Sequence, residues 1–184
     1  MAIEQAVTTK ETPISPAVFK QSMRRPSHLP ECRRRLPDGV CILASARDGE
    51  RHGLTMTAVC SLTLDPPMLI ACVNRDAGAY ETMRSTRRVS VNLLGSDQIE
   101  LAELFSSSTI KGTERFERAE WVEMASGVPA LTGALAVLDC QIVEEKAVGQ
   151  HSVLFCEVKA ARLEDQKDPL VHFDRQFCGL LPVA

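Results

Sequence analysis

Residues 39–64 read GVCILASARDGERHGLTMTAVCSLTL, and this stretch decides the fold class. Its first eight residues are apolar with β-branched members, the composition of a strand. Asp48-Gly49 follows, a dipeptide that favours a two-residue hairpin turn. RHGLTMTAVCSLTL then reads as the returning strand and its extension. Asp65-Pro66-Pro67 breaks the run, because proline removes a donor and fixes φ.

The same signals recur further along the chain. MLIACVN (residues 68–74) is apolar throughout, as suits a strand covered on both faces. RVSVNLL (88–94) alternates, with Val89, Val91 and Leu93 on one side and Ser90 and Asn92 on the other. ALAVLDCQIVEE (134–145) places Ala136, Leu138, Cys140 and Ile142 on one face. The turn Val148-Gly149-Gln150-His151 leads into VLFCEVKAARL, which places Leu154, Cys156, Val158 and Ala160 on one face. After Asp168-Pro169, LVHFD is a last short strand.

Helical signals are fewer. Ser15 and Pro16 suit the cap and first position of a helix that carries Phe19 and Met23 on one face and stops at Pro26. PSHLPECRRR (26–35) reads as a solvated loop with a short second helical turn; the alternative is a basic patch for an anionic partner. Asp97 with Glu100 is a capping pair for a helix that buries Ile99, Leu101, Leu104 and Phe105. SSSTIKGTER (106–115) is a polar loop, and the segment around Trp121 is ambiguous. About seven strands at hairpin spacing, with two or three helices, predict a mainly β protein: an antiparallel barrel with peripheral helices. The predicted organisation is a disordered lead over residues 1–15 and a single domain over 16–184.

Composition narrows the function. The net charge of −3 gives no electrostatic reason to expect nucleic acid or a membrane surface. Aromatic residues, at 4%, do not interleave with basic ones, so base stacking is not predicted. No apolar run approaches the roughly 20 residues of a membrane span, and the N-terminus lacks the apolar core of a secretory signal. The seven cysteines have no CxxC spacing and mostly lie in apolar runs, which predicts buried free thiols in a reducing cytoplasm. The alternative is a catalytic thiol, which needs a nearby base. His28, His52, His151 and His172 lack ligand-like spacing, so no metal site is predicted. GxGxxG, GxxxxGK[ST], HExxH and GxSxG are all absent.

At GLTMTAVCSLTLDPPMLIACVNR (53–75) the chain closely resembles the flavin reductase-like family, whose fold is the FMN-binding split barrel. It resembles in particular the reductase components of two-component flavin monooxygenases, such as 4-hydroxyphenylacetate 3-monooxygenase. RLPDGVCILAS, VSVNLL with Gln98 and LAELF, ERF, GVPALTGALAVLDCQI, GQH and PLVHFDRQF follow the family's order, and the resemblance spans about residues 17–182.

The resemblance implies NAD(P)H-dependent reduction of FMN or FAD. It also implies a homodimer and delivery of reduced flavin to a partner monooxygenase. Carried onto this chain, it places Thr55, Met56, Thr57, Ala58 and Ser61 beside the flavin ring. Asn74, Arg75, Ala77 and Lys111 fall near its phosphate, and Phe173 and Arg175 in the cofactor site. His151, in Gly149-Gln150-His151, is the implied catalytic residue beside the nicotinamide. The chemistry of these residues is compatible: small and hydroxyl-bearing residues let backbone N–H groups approach a planar ring, and a cation at a strand end suits phosphate. Four departures stand out: Ala77 where the family often has serine, Gln150 where it commonly has an acid, Met56 where a smaller residue is common, and PSHLPECRR, which resembles an insertion between MRR and RLPDGV. Two rival functions are a flavin-dependent reductase of another acceptor, such as a cobalt corrin, and a flavin-binding carrier without turnover.

Overall fold

The computed structural model describes residues 28–110, 112–165 and 168–180. The chain divides into two compact units, residues 1–35 and 36–184. Within the first, the described part is one short helix, α1 (Leu29–Arg33), with Pro30 in its first turn. The expected helix beginning at Ser15 lies outside the described residues, as does the expected disordered lead.

The second unit is built on a seven-stranded antiparallel sheet. Its strands are β2 (Cys41–Arg47), β3 (Glu50–Met56), β4 (Val59–Leu64), β5 (Pro67–Asn74), β6 (Arg88–Leu93), β9 (Ala136–Val148) and β10 (His151–Leu163). Their spatial order is β3-β2-β6-β9-β10-β5-β4. The β2–β3 and β9–β10 hairpins turn where the sequence predicts. Asp48 and Gly49 have φ of 54° and 81°, and Gly149 has φ of 58°.

RHGLTMTAVCSLTL is not one extended strand. It splits at Thr57-Ala58 into β3 and β4, which lie at opposite edges of the sheet. Two residues bridge at most about 10 Å, so the edges must come round to meet. The sheet is therefore a barrel, split between β3 and β4. A hydrogen bond from Cys72 N–H to the Ala58 carbonyl (2.9 Å) ties the link to β5.

The barrel interior is one core, with Leu43, Met56, Val73, Val91, Cys140, Ile142, Leu154 and Cys156 buried in it. A second core covers the outer face of β2 and β6. There Ile42, Leu94 and Val137 meet helix α3 (Ile99–Ser106), the 3₁₀ segment Gly112–Arg118 and the β7–β8 hairpin (Trp121–Glu123, Pro129–Leu131). Phe105, Phe116 and Trp121 pack there with ring centroids 4.8–5.5 Å apart. The polar face of β6 is thus buried instead of wet. Asn92 donates to the Ile42 carbonyl (3.0 Å) and accepts from Leu131 N–H (2.8 Å).

A small sheet joins β1 (Asp38–Gly39), β11 (Val171–Phe173) and β12 (Gln176–Cys178). Helix α2 (Tyr80–Thr86) follows β5 and has no counterpart in the sequence reading. On α3 the residue preceding the helix is Gln98, not Asp97, and no side chain caps it. Ala102 and Phe105 are the buried residues of α3, while Ile99 is exposed.

The cysteines divide more evenly than expected. Cys41, Cys140 and Cys156 are buried, Cys72 is half-buried, and Cys32, Cys60 and Cys178 are exposed. Burial pushes the Cys41 and Cys156 thiols up to about 12 and raises Cys140 as well. That is the opposite of a reactive thiolate.

Gly53 sits where β3 meets the ring of Phe105. A Cβ built there would lie 2.9 Å from the ring's Cε1 and 3.1 Å from the Leu43 carbonyl. Gly53→Ala is therefore expected to destabilise the fold by about 1–3 kcal/mol, as overpacking does, measured by urea denaturation. An unchanged midpoint would show that ring and strand can part freely.

Candidate functional site

A cleft of about 610 Å³ lies alongside β3, within the range of small-molecule sites. Three segments that are distant in sequence face it: residues 52–55 of β3, residues 76–79 after β5, and residues 105–108 at the end of α3. Ile110, Gly112 and Arg115 complete the wall.

Each segment has a local cause. Asn74 ends β5, and its side-chain carbonyl accepts from Asp76 N–H (3.0 Å), while its backbone carbonyl accepts from Ala77 N–H (3.1 Å). This is an Asx turn, which reverses the chain without glycine. Thr55 lines the cleft, but its hydroxyl donates to the Ala102 carbonyl (2.7 Å), locking β3 onto α3.

Arg115 organises the third segment. Its guanidinium donates to the carbonyls of Ile110 (2.9 Å), Gly53 (3.2 Å), Phe105 (3.3 Å) and Ser107. Four of its five N–H groups are thus taken by backbone. Among the described residues it makes no ion pair with a carboxylate. Partial burial alone pushes its pKa below the ordinary value. The wall therefore carries an unneutralised cation together with Ser106, Ser107 and Ser108. The sequence reading missed Arg115, although it lies within the ERF motif. The available signal was a basic residue beside a buried aromatic in a polar loop.

The other expected site residues are distributed as follows. Thr55 and Ala77, 22 positions apart in the chain, line one cleft. Thr57 and Ala58 form the link across the split. Ser61 is exposed on β4, whereas Met56 is buried in the barrel core. Arg75 does not line the cleft. Its guanidinium donates to the Gly149 carbonyl (2.5 Å), and its backbone N–H donates to the Gln150 carbonyl (3.0 Å). His151 is exposed at the start of β10, paired in register with Asn74. The chain thus brings the Gly-Gln-His turn against the loop after β5. Phe173 and Arg175 sit on the β11–β12 hairpin and are not among the cleft-lining residues. Lys111 lies outside the described residues. Among the described residues, no group of three or more His, Cys, Asp or Glu could hold a metal ion.

Comparison with known proteins matches residues 33–181 to a family model described as "Flavin reductase like domain". The chain is 36% identical over 180 residues to the FMN reductase (NADH) RutF of Stutzerimonas stutzeri, covering 98% of each protein. Among solved structures it is similar to BorF, the flavin reductase component of a bacterial two-component tryptophan halogenase. The TM-score is 0.79 at 27% identity, covering 86% of this chain and 100% of that one. It is also similar to the NADH:FAD oxidoreductase of Streptomyces globisporus, solved with NAD and FAD fragments. There the TM-score is 0.80 at 25% identity, with 89% and 99% coverage.

Proposed function

This chain belongs to the flavin reductase-like family, and from that premise we infer that it is an NADH-dependent flavin reductase acting on FMN or FAD. The observation that carries the reading is the cleft beside β3. There Thr55, the loop of residues 76–79 and the unneutralised Arg115 face one space. The residues present fit a flavin nucleotide: a cation and hydroxyls for its phosphate, and a backbone link of small residues for its ring. Flavin and nicotinamide supply the hydride chemistry themselves when bound.

The chain's own residues bind and orient. Arg115 and the serine loop hold the phosphate. Thr57, Ala58 and Ser61, at the split, lie along the ring. Arg75 joins the Gly-Gln-His turn to the loop after β5. His151 faces the nicotinamide and orients it.

His151→Ala is therefore expected to slow hydride transfer about 10- to 100-fold, the range for a lost positioning or proton-handling group. Flavin affinity should be nearly unchanged. Stopped-flow kinetics and a melting curve on the same variant check this; an unchanged rate with a lowered melting temperature would remove His151 from the site.

The reduced flavin leaves for a partner monooxygenase, and two copies of the chain form the working unit. The edge strand β4 fits the second part of this reading, since it exposes Leu62 (49%) and Leu64 (88%). The free thiols fit a reducing cytoplasm. Among the described residues, no helix is long and apolar enough to cross a membrane.

The test is steady-state oxidation of NADH, and separately of NADPH, with FMN, FAD or no flavin added. NADH loss that requires added flavin supports the reading. Flavin binding without NADH loss would make the chain a carrier.

A further inference from the structure

Two segments must stay in fixed relation for such a site to work: the turn of residues 149–151 and the loop of residues 74–79. The β5–β10 ladder joins them only as far as the pair His151 and Asn74. Arg75 extends the join through its bonds to the Gly149 and Gln150 carbonyls, and side chains next to the pair add further polar contacts. Ser152 is fully buried, and its hydroxyl donates to Glu145 Oε1 at 2.7 Å. Tyr80, the first residue of α2, donates its hydroxyl to the same oxygen and lies 3.0 Å from Ser152 Oγ. Glu145 Oε2 faces Arg87 Nη1 at 3.9 Å.

We propose that Tyr80, Glu145 and Ser152 form a clasp that fixes the Gly-Gln-His turn against the loop after β5. Tyr80 and Glu145 are then positioning residues for hydride transfer, a role that rests on the site reading above. Placement argues for it. Ser152 directly follows His151, and Tyr80 directly follows the cleft-lining residues 76–79. Glu145 bridges them from a third element, β9.

Chemistry argues for it too. Apolar side chains could fill this space without desolvating a carboxylate, often at no loss of stability. Two hydroxyl protons converging on one oxygen impose a geometry that packing alone does not. Burial pushes the Glu145 carboxyl up, but the bonds from Ser152 and Tyr80 and the charges of Arg87 and Arg84 outweigh it, so its pKa lies below the usual value. The acceptor is thus ionised at neutral pH and the clasp is closed there.

Glu145→Ala, Glu145→Gln and Tyr80→Phe in the full chain test this, with two readouts. Amide hydrogen exchange, without nucleotides, reads the join itself. Glu145→Ala should raise exchange at residues 149–152 and 76–80 together, by about tenfold or more. Glu145→Gln, whose carbonyl still accepts both bonds, should stay near wild type. Single-turnover hydride transfer at saturating FMN and NADH should slow about tenfold in Glu145→Ala and Tyr80→Phe, with FMN affinity changed less than about threefold. Unchanged exchange in both segments overturns the clasp. So does raised exchange with a wild-type transfer rate, since the contacts are then structural only. A wild-type chain that transfers no hydride overturns the site reading, and the role assigned to the clasp with it; the exchange result tells that failure apart from a failure of the join.

Discussion

Raising the pH from 8 to 10 is expected to remove about 4 kcal/mol of folding stability, because three buried thiols resist ionisation in the folded chain. Burial raises Cys41 and Cys156 to about 12, from an ordinary value of 9.0, and raises Cys140 in the same direction. A group whose folded pKa is raised contributes its full stability below the unfolded value. It loses that contribution as pH climbs towards the folded value. Here the window opens near pH 9 and extends to about 12. Each thiol loses roughly 1.4 kcal/mol per pH unit inside it. Against a usual total of about 5–15 kcal/mol, the sum is large. Tyr80 adds to the same trend: burial first, and then its bond to Glu145, raise its phenol. Urea midpoints with reductant present, at pH 8, 9 and 10, measure the slope. Replacing Cys140 by Ala lowers absolute stability but should flatten that slope by about a third. A wild-type stability that is level across this range would contradict the burial of these thiols.

Arg115→Ala is expected to weaken FMN binding about 10- to 100-fold, the loss of a charge-assisted bond worth about 1.5–3 kcal/mol. Riboflavin lacks the phosphate and should lose far less. Arg115→Lys keeps the charge but cannot reach four carbonyls, so it separates phosphate attraction from loop order. Arg75→Ala should do the reverse: its guanidinium holds the Gly149 carbonyl, so hydride transfer should suffer more than FMN affinity. Titration of each variant with FMN and riboflavin decides. Equal losses for the two ligands in Arg115→Ala would place the phosphate elsewhere.

Local signals carried the hairpins. Asp48-Gly49 and Gly149-Gln150 mark the turns of β2–β3 and β9–β10. MLIACVN does form a strand, β5, but it lies next to the edge strand and fully buries only alternate residues, Leu69, Ala71 and Val73, so it is not covered on both faces. The break at Thr57-Ala58 was invisible because both halves have β composition and no turn residue stands between them. Only the pairing of β3 with β2, and of β4 with β5, separates them, and pairing is not local. Helix α2 was missed because it is short, has no side-chain cap and buries only Thr82 and Met83. Alternation set Ser90 and Asn92 apart from the apolar face but carried no sign that the β7–β8 hairpin covers them. Of the site residues the resemblance implied, Thr55 and Ala77 line the cleft. Arg115 was passed over because its partners are carbonyls 5 to 62 residues away in the chain, and no spacing rule reaches that far.

Hydride transfer from NADH to a flavin is the activity assigned to this chain. Anaerobic rapid mixing tests it most directly: protein with free FMN against NADH, following oxidised flavin and NADH together. Both signals should fall with the same rate constant, one flavin per NADH, at a rate proportional to protein. FMN that binds but stays oxidised while NADH persists would contradict it.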